Sequence, residues 1–374
     1  TDVGMRRPGN EDAFMVADLT SGNVGLGPEM STHQIGARGS LVAVSDGMGG
    51  AAAGEVASEM AVNIMREALL SAPADMQAYD QLTRAVAMAN DRIWKHSKQN
   101  DGLSGMGATL TAALLWSKYA YIAQVGDSRA YLVRGDRIKQ LTKDQSLVQM
   151  LLESGAIAPD QASSVPHNVI IQALGTSPTV DAAVTVAELS KNDILILCSD
   201  GLSNKVSDDE IKETVSKEKS LTNACRSLVE LANQRGGEDN ITIVVARFDG
   251  EELQSAADGN SITGSFQVIE HGCLGGDLSA IVDQMNSRAE AASQKAESKV
   301  TTLVMNRLED ESGAEISEQD GSVDAANSDA ANELEKSEAG ISAGYLKYAL
   351  FILAALFLIA AALFAVLYFR KPAG

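Results

Sequence analysis

Apolar residues follow two patterns along residues 1–248: short unbroken runs that end at turn formers, and longer segments where they recur at helical spacing. The run Ser40–Ser45 predicts a strand. Beyond a Gly-rich turn, Val56, Met60, Ile64 and Ala68 return every four residues and predict an amphipathic helix. A second helix follows with Leu82, Val86, Ala89 and Ile93 on one face. Three strands come next: Ala108–Trp116, Tyr119–Val125 and Arg129–Arg134. Only Ser117 and Lys118 join the first two, and so short a link forces antiparallel pairing. Gly135 and Asp136 make another tight turn into Ile138. Gln145–Ser154 reads as a short helix stopped by Gly155, and 156–182, with Pro159, Pro166 and Pro178, as an irregular surface excursion. Strand Asp193–Ser199, a helix within 207–234 (Ile211, Val215, Leu228, Leu231) and strand Ile241–Phe248 close the region. Hairpin-linked strands with helices arriving in pairs predict an α+β fold, antiparallel sheets covered by helices.

The pattern then changes. Ile281, Met285, Ala289, Ala292, Ala296, Val300 and Leu303 are roughly helically spaced within 277–308, in a linker spanning 249–309. Residues 310–344 are rich in Glu, Asp, Ser, Ala and Gly, a composition that predicts disorder. Ala349–Phe369 is a run of 21 residues without a charge, flanked by Lys347 and by Arg370 and Lys371. That length predicts one transmembrane helix over 345–369, with a short tail at 370–374. A buried core helix is the weaker reading, because the run stands at the extreme end of the chain, after the acidic linker.

Charge sharpens this division. The chain carries a net −20, and residues 249–344 alone hold 20 acids against 5 bases. No basic arm or patch is visible, which argues against nucleic acid as a partner. Three cysteines are too few and scattered for a disulfide framework and fit a reducing compartment. Four histidines lie far apart without ligand spacing, so zinc is not expected. The first residue is Thr1 rather than Met, and a piece upstream is expected.

The chemistry sits where apolar strands meet acids. Leu41–Ser45 runs into Asp46 and Gly47, Ile194–Ser199 into Asp200 and Gly201, and Tyr119–Val125 into Gly126 and Asp127; Asp239 stands just before Ile241. Carboxylates at the ends of buried strands are costly unless a cation compensates them. Ligation by carboxylates alone selects Mg²⁺ or Mn²⁺, or Ca²⁺ at a looser site. Two ions sharing one bridging carboxylate would deprotonate a water between them, and that hydroxide could attack phosphorus in line. Arg7, four residues before Glu11 and Asp12, could grip a phosphate through its planar fork. Each residue alone has a blander reading: the aspartates as turn formers or caps, Arg7 as a solvated charge, Glu11 and Asp12 as loop.

Six segments change that balance. In chain order they are Thr1–Asp12, Val44–Gly50, Gly105–Leu110, Val125–Arg129, Ser199–Leu202 and Gly237–Thr242. Together they strongly resemble the bacterial branch of the metal-dependent protein phosphatase 2C family, over about residues 1–248. The resemblance implies an α-β-β-α sandwich with a two-metal site at one end and hydrolysis of phosphoserine and phosphothreonine by direct water attack, without a phosphoenzyme. Asp46 resembles the bridging ligand, with the Gly47 carbonyl on the first metal and Asp200 and Asp239 on the second. Asp127 matches the position that helps hold a third, weaker ion. Glu11 and Asp12 resemble acids that contact the metals through water, and Arg7 the phosphate-binding arginine. Asn240 and Thr109 are expected to be structural. The chain departs from the family pattern at Met48, where animal members carry His, at Gln145, where relatives often show His, and at Ile171-Gln172, where Thr-Arg is usual.

Two rival readings fail. Gly47–Ala52 mimics a dinucleotide fingerprint, but no second parallel strand ending in an acid follows the helix. Cys198 is followed six residues on by Asn204, not by the Arg that a cysteine-dependent phosphatase needs. A non-catalytic, membrane-tethered binding or regulatory protein that keeps the fold is the alternative function. The expected partners are phosphoproteins, with a membrane Ser/Thr kinase and its substrates among them. The expected location is the membrane, single-pass and C-terminally anchored, with the catalytic domain cytoplasmic.

Overall fold

In a computed structural model the described residues are 1–23, 32–166, 168–255, 262 and 266–269. The chain divides into two units, Thr1–Leu274 and Gly275–Gly374, and every described residue lies in the first. The helix expected within 277–308, the acidic stretch and the transmembrane segment 345–369 lie outside the described residues. Among the described residues no helix is long and apolar enough to cross a membrane.

The elements follow in order: β1 (Asp12–Asp18), β2 (Ser40–Met48), α1 (Ala51–Leu70), α2 (Ala78–Gln99), β3 (Gly107–Ala108), β4 (Leu110–Trp116), β5 (Tyr119–Val125), β6 (Arg129–Arg134), β7 (Arg137–Gln140) and α3 (Leu147–Glu153). A short 3-10 helix at Pro159–Ser164 leads toward β8 (Ala183–Glu188) and β9 (Ile194–Cys198). Helices α4 (Asp200–Ser203), α5 (Asp208–Lys217) and α6 (Leu221–Gln234) then precede β10 (Ile243–Arg247) and β11 (Phe266–Ile269).

Two antiparallel sheets form. The larger runs β1-β2-β4-β5-β8-β11, with β3 paired to β2; the smaller runs β10-β9-β6-β7. Strand alternation explains why the runs look uniformly apolar: both faces are covered. Leu41 and Ala43 of β2 pack with α1 and α2 residues such as Ala61, Met65, Leu82 and Ile93. Val42 and Val44 turn the other way and meet Leu132, Leu195 and Leu197 of the smaller sheet. Tyr131, Ile196 and Cys198, on the outer face of that sheet, pack with Ile211 and Val215 of α5 and Leu228 of α6. The layers are therefore α-β-β-α, as expected.

Four readings need correction. Asp12 begins strand β1 and pairs with Asp46 of β2, so the acid pair is not a simple loop. Ala183–Glu188, unassigned in the sequence, is a central strand between β5 and β11. The single helix expected within 207–234 is two, because the Ser220 side chain accepts a bond from the Asn223 N–H and starts α6 afresh. The compact unit runs past 248, where β11 pairs with β8 and buried Ile262 joins the core between the sheets.

Candidate metal centre

Antiparallel pairing gathers the acids. The start of β1 lies opposite the end of β2, placing Asp12 across from Asp46. The start of β10 lies opposite the end of β9, with Ile243 paired to Cys198, so Asp239 and Asp200 arrive at one edge. The β5–β6 turn brings Asp127 to the same place, where Asp46 feels the charges of Asp12, Asp200, Asp239 and Asp127 together.

A small set of side chains builds the supports. Asn240 donates from Nδ2 to the carbonyls of Val3 and Gly9, both at 2.9 Å, and its Oδ1 accepts from the Glu11 N–H at 2.8 Å. It thereby ties the N-terminal segment to the loop that carries Asp239. Thr109 Oγ1 accepts from the Asp46 N–H at 2.9 Å and shares a 2.9 Å bond with Ser128 Oγ. Both residues therefore have the structural roles expected of them. Ser199 Oγ donates to Asp12 Oδ2 at 2.8 Å, and Asn204 Nδ2 donates to Asp200 Oδ2 at 3.1 Å. Gly201 is a steric requirement, since a Cβ there would collide with the Asn240 carbonyl.

The electrostatics are unbalanced. Burial, then repulsion from neighbouring acids, pushes the Asp127 carboxyl up to about 7 and the Asp12 carboxyl up to about 6. The same causes raise Asp46 well above the usual range and raise Asp200. Burial also raises Glu11. Oδ1 of Asp12, of Asp127 and of Asp200 is buried with no hydrogen-bond partner. Buried carboxylate oxygens without donors are what a hard cation satisfies, so the donor set fits divalent ions.

Arg7 stands at the rim, about half exposed, and its Nη2 donates to Asp239 Oδ2 at 2.8 Å. That bond engages one oxygen of Asp239, and the Asn240 N–H engages the other at 2.9 Å. Among the described residues, no three His, Cys, Asp or Glu side chains are arranged to hold an ion by themselves. A complete coordination shell here would also draw on backbone carbonyl and water oxygens. The structure thus brings Arg7, Glu11, Asp12, Asp46, Gly47, Asp127, Asp200 and Asp239 to one region. Sequence reasoning missed Ser199 and Asn204; Asn204 lies four residues beyond Asp200, a helical spacing that could have flagged it, whereas the contact of Ser199 with Asp12 comes only from the tertiary fold.

Comparison with known proteins fits this geometry. The sequence model described as Protein phosphatase 2C matches residues 30–242. The chain belongs to that family. It is 38% identical over 213 residues to the serine/threonine phosphatase Stp of Listeria monocytogenes, covering 56% of this chain and 84% of the relative. The crystal structure of the Mycobacterium tuberculosis serine/threonine phosphatase PstP superposes with a TM-score of 0.57 at 34% identity, covering 67% of this chain and 96% of that one. A second structure, the PstP catalytic domain in complex with two manganese ions, gives 0.55 at 34% identity and the same coverage. This chain is a metal-dependent protein serine/threonine phosphatase, and family membership favours the enzyme over the non-catalytic alternative.

Proposed function

We propose that Asp46, the Gly47 carbonyl, Asp200 and Asp239 hold a pair of Mn²⁺ or Mg²⁺ ions, with Asp127 helping to hold a third more weakly. Glu11 and Asp12 act through intervening water. The carrying observation is the set of buried, donor-less oxygens on Asp12, Asp127 and Asp200. The manganese pair in the related PstP structure supports the choice of metal.

Ions bound there would supply Lewis acidity to the phosphoryl oxygens and lower the pKa of water, the chemistry that direct water attack on phosphorus requires. The protein's own part is positioning. Arg7 presents a charged fork at the rim and binds the phosphate. Asp239, which accepts both from Arg7 and from the Asn240 N–H at 2.9 Å, ties the phosphate grip to the acid set. Met48 has no proton to give, so it supplies no acid for the leaving group.

Two substitutions test the assignment. Asp46→Asn and Asp200→Asn should each lower Mn²⁺-dependent hydrolysis of a phosphothreonine peptide by at least about a hundredfold, the upper end of what even indirect partners of a metal cost. Substantial retained turnover in a folded variant removes that residue from the ligand set.

The run Ala349–Phe369 supports a further reading: a single-pass C-terminal anchor with the catalytic unit on the cytoplasmic face. Membrane phosphoproteins, including products of a membrane Ser/Thr kinase, would then be its substrates. Protease added to intact spheroplasts should leave the catalytic unit uncut. Cleavage there would place it outside.

A further inference from the structure

Gln145 and Gln172, two of the family departures, meet in the folded chain. Gln145 closes a two-bond ring on Gly126. Its N–H donates to the Gly126 carbonyl at 2.9 Å, and its Oε1 accepts from the Gly126 N–H at 2.8 Å. The same Oε1 accepts from Gln172 Nε2 at 3.2 Å. Gln172 repeats the device on Asp181: Nε2 donates to the Asp181 carbonyl at 2.7 Å, and Oε1 accepts from the Asp181 N–H at 3.0 Å. Backbone partners of known polarity fix which amide atom is oxygen at both residues.

The clamped glycine is a constrained point. Gly126 has φ +96°, and a Cβ there would press on the Thr109 side chain. Its carbonyl also accepts from buried Gln124 Nε2 at 2.8 Å. The next residue is Asp127, only 6% exposed, whose Oδ1 has no partner. Backbone bonds from Ile171 to Gln145 and from Leu147 to Val169, both 2.8 Å, lay the two glutamine-bearing segments side by side.

We infer that Gln145 and Gln172 form an amide relay that positions Asp127 for its ion. The inference rests on reading Asp127 as an ion ligand. Both glutamines act through Gly126 and are positioning residues. The relay is directional. Gln145 uses its side chain only as an acceptor in these bonds, so glutamate can replace it. Gln172 must donate twice, so glutamate cannot.

Mn²⁺ titration of the full chain, followed by the EPR signal of free Mn²⁺, tests the relay. Asp127→Ala first identifies the ion that depends on Asp127. Gln145→Ala and Gln172→Ala should each weaken that ion about tenfold and leave the others unchanged. Gln145→Glu should bind it no more weakly than the wild type, whereas Gln172→Glu should fall with Gln172→Ala. Wild-type binding by Gln145→Ala, or equal behaviour of the two glutamate variants, overturns the relay. If Gln145→Ala does not fold, the glutamate pair decides alone. If Asp127→Ala removes no ion, the ligand reading fails and takes the relay with it. If it removes one while the alanine variants bind as wild type, only the relay fails.

Discussion

The two-sheet sandwich buries acids at both ends of its strands, and the two ends treat them differently. At one end Asp193, 1% exposed, receives Arg134 in a two-pronged contact: Nε to Oδ1 at 2.9 Å and Nη2 to Oδ2 at 2.7 Å. The Ser190 N–H adds a 2.7 Å bond to Oδ2, and Arg134 also reaches the Glu188 carbonyl. Every visible demand of that carboxylate is met inside the protein. At the other end, Asp12, Asp46, Asp127 and Asp200 crowd together, with Oδ1 of Asp12, of Asp127 and of Asp200 left open, and the nearby Arg7 sits at the solvent edge. A charge buried for structure carries its counter-charge with it. A charge buried for chemistry leaves room for one to arrive.

The contrast can be broken from either side. The largest effect on activity should come from Asp46→Asn, with the collapse in turnover described above and a circular dichroism spectrum like that of the wild type. Arg134→Ala should do the reverse. Leaving Asp193 buried and unpaired should cost about 3–5 kcal/mol in urea unfolding, with kcat per folded molecule largely kept. A variant that loses activity without losing stability would show that this end also serves the site.

The acids also predict a pH signature for the metal-free chain. Asp12 and Asp127, raised to about 6 and about 7 from the 3.8 of a free aspartate, bind more protons folded than unfolded between those values. Their contribution to stability is complete below about 4 and is lost as pH rises through 6 to 7. Thermal melts in chelator should therefore fall from pH 5 to pH 8, and added Mn²⁺ should reverse the fall. A chelated protein that gains stability over that range from these acids would contradict the reading. The smallest effect is expected from Arg7→Ala: KM for a phosphopeptide should rise by about tenfold, with kcat changed less. A fall in kcat alone would place Arg7 in the transition state.

Much of the scaffold could be read from the chain. The two-residue link at Ser117–Lys118 does set β4 against β5 in antiparallel register, from Trp116 opposite Tyr119 to Leu110 opposite Val125. The four-residue spacing from Val56 to Ala68 does lie on a helix packed against the larger sheet. What escaped was context-dependent. β1 opens with Asp12, second of an acid pair that reads as loop, and it becomes a strand because β2 pairs with it along its whole length. β8 follows a long irregular stretch, and its six residues gain strand identity from β5 on one side and β11 on the other. Ser199 looked like one letter of a motif until the fold put its hydroxyl on Asp12, 187 positions away.

By itself the sequence determined the family, the layered α+β scaffold and the candidate acids, because turn residues, apolar periodicity and motif order are local properties of the chain. Only the tertiary structure decided that Asp12 faces Asp46, that Arg7 holds Asp239, and that two glutamines 27 residues apart join beneath Asp127. Those relations depend on which strand ends become neighbours, and sheet packing settles that through contacts between residues far apart in the chain.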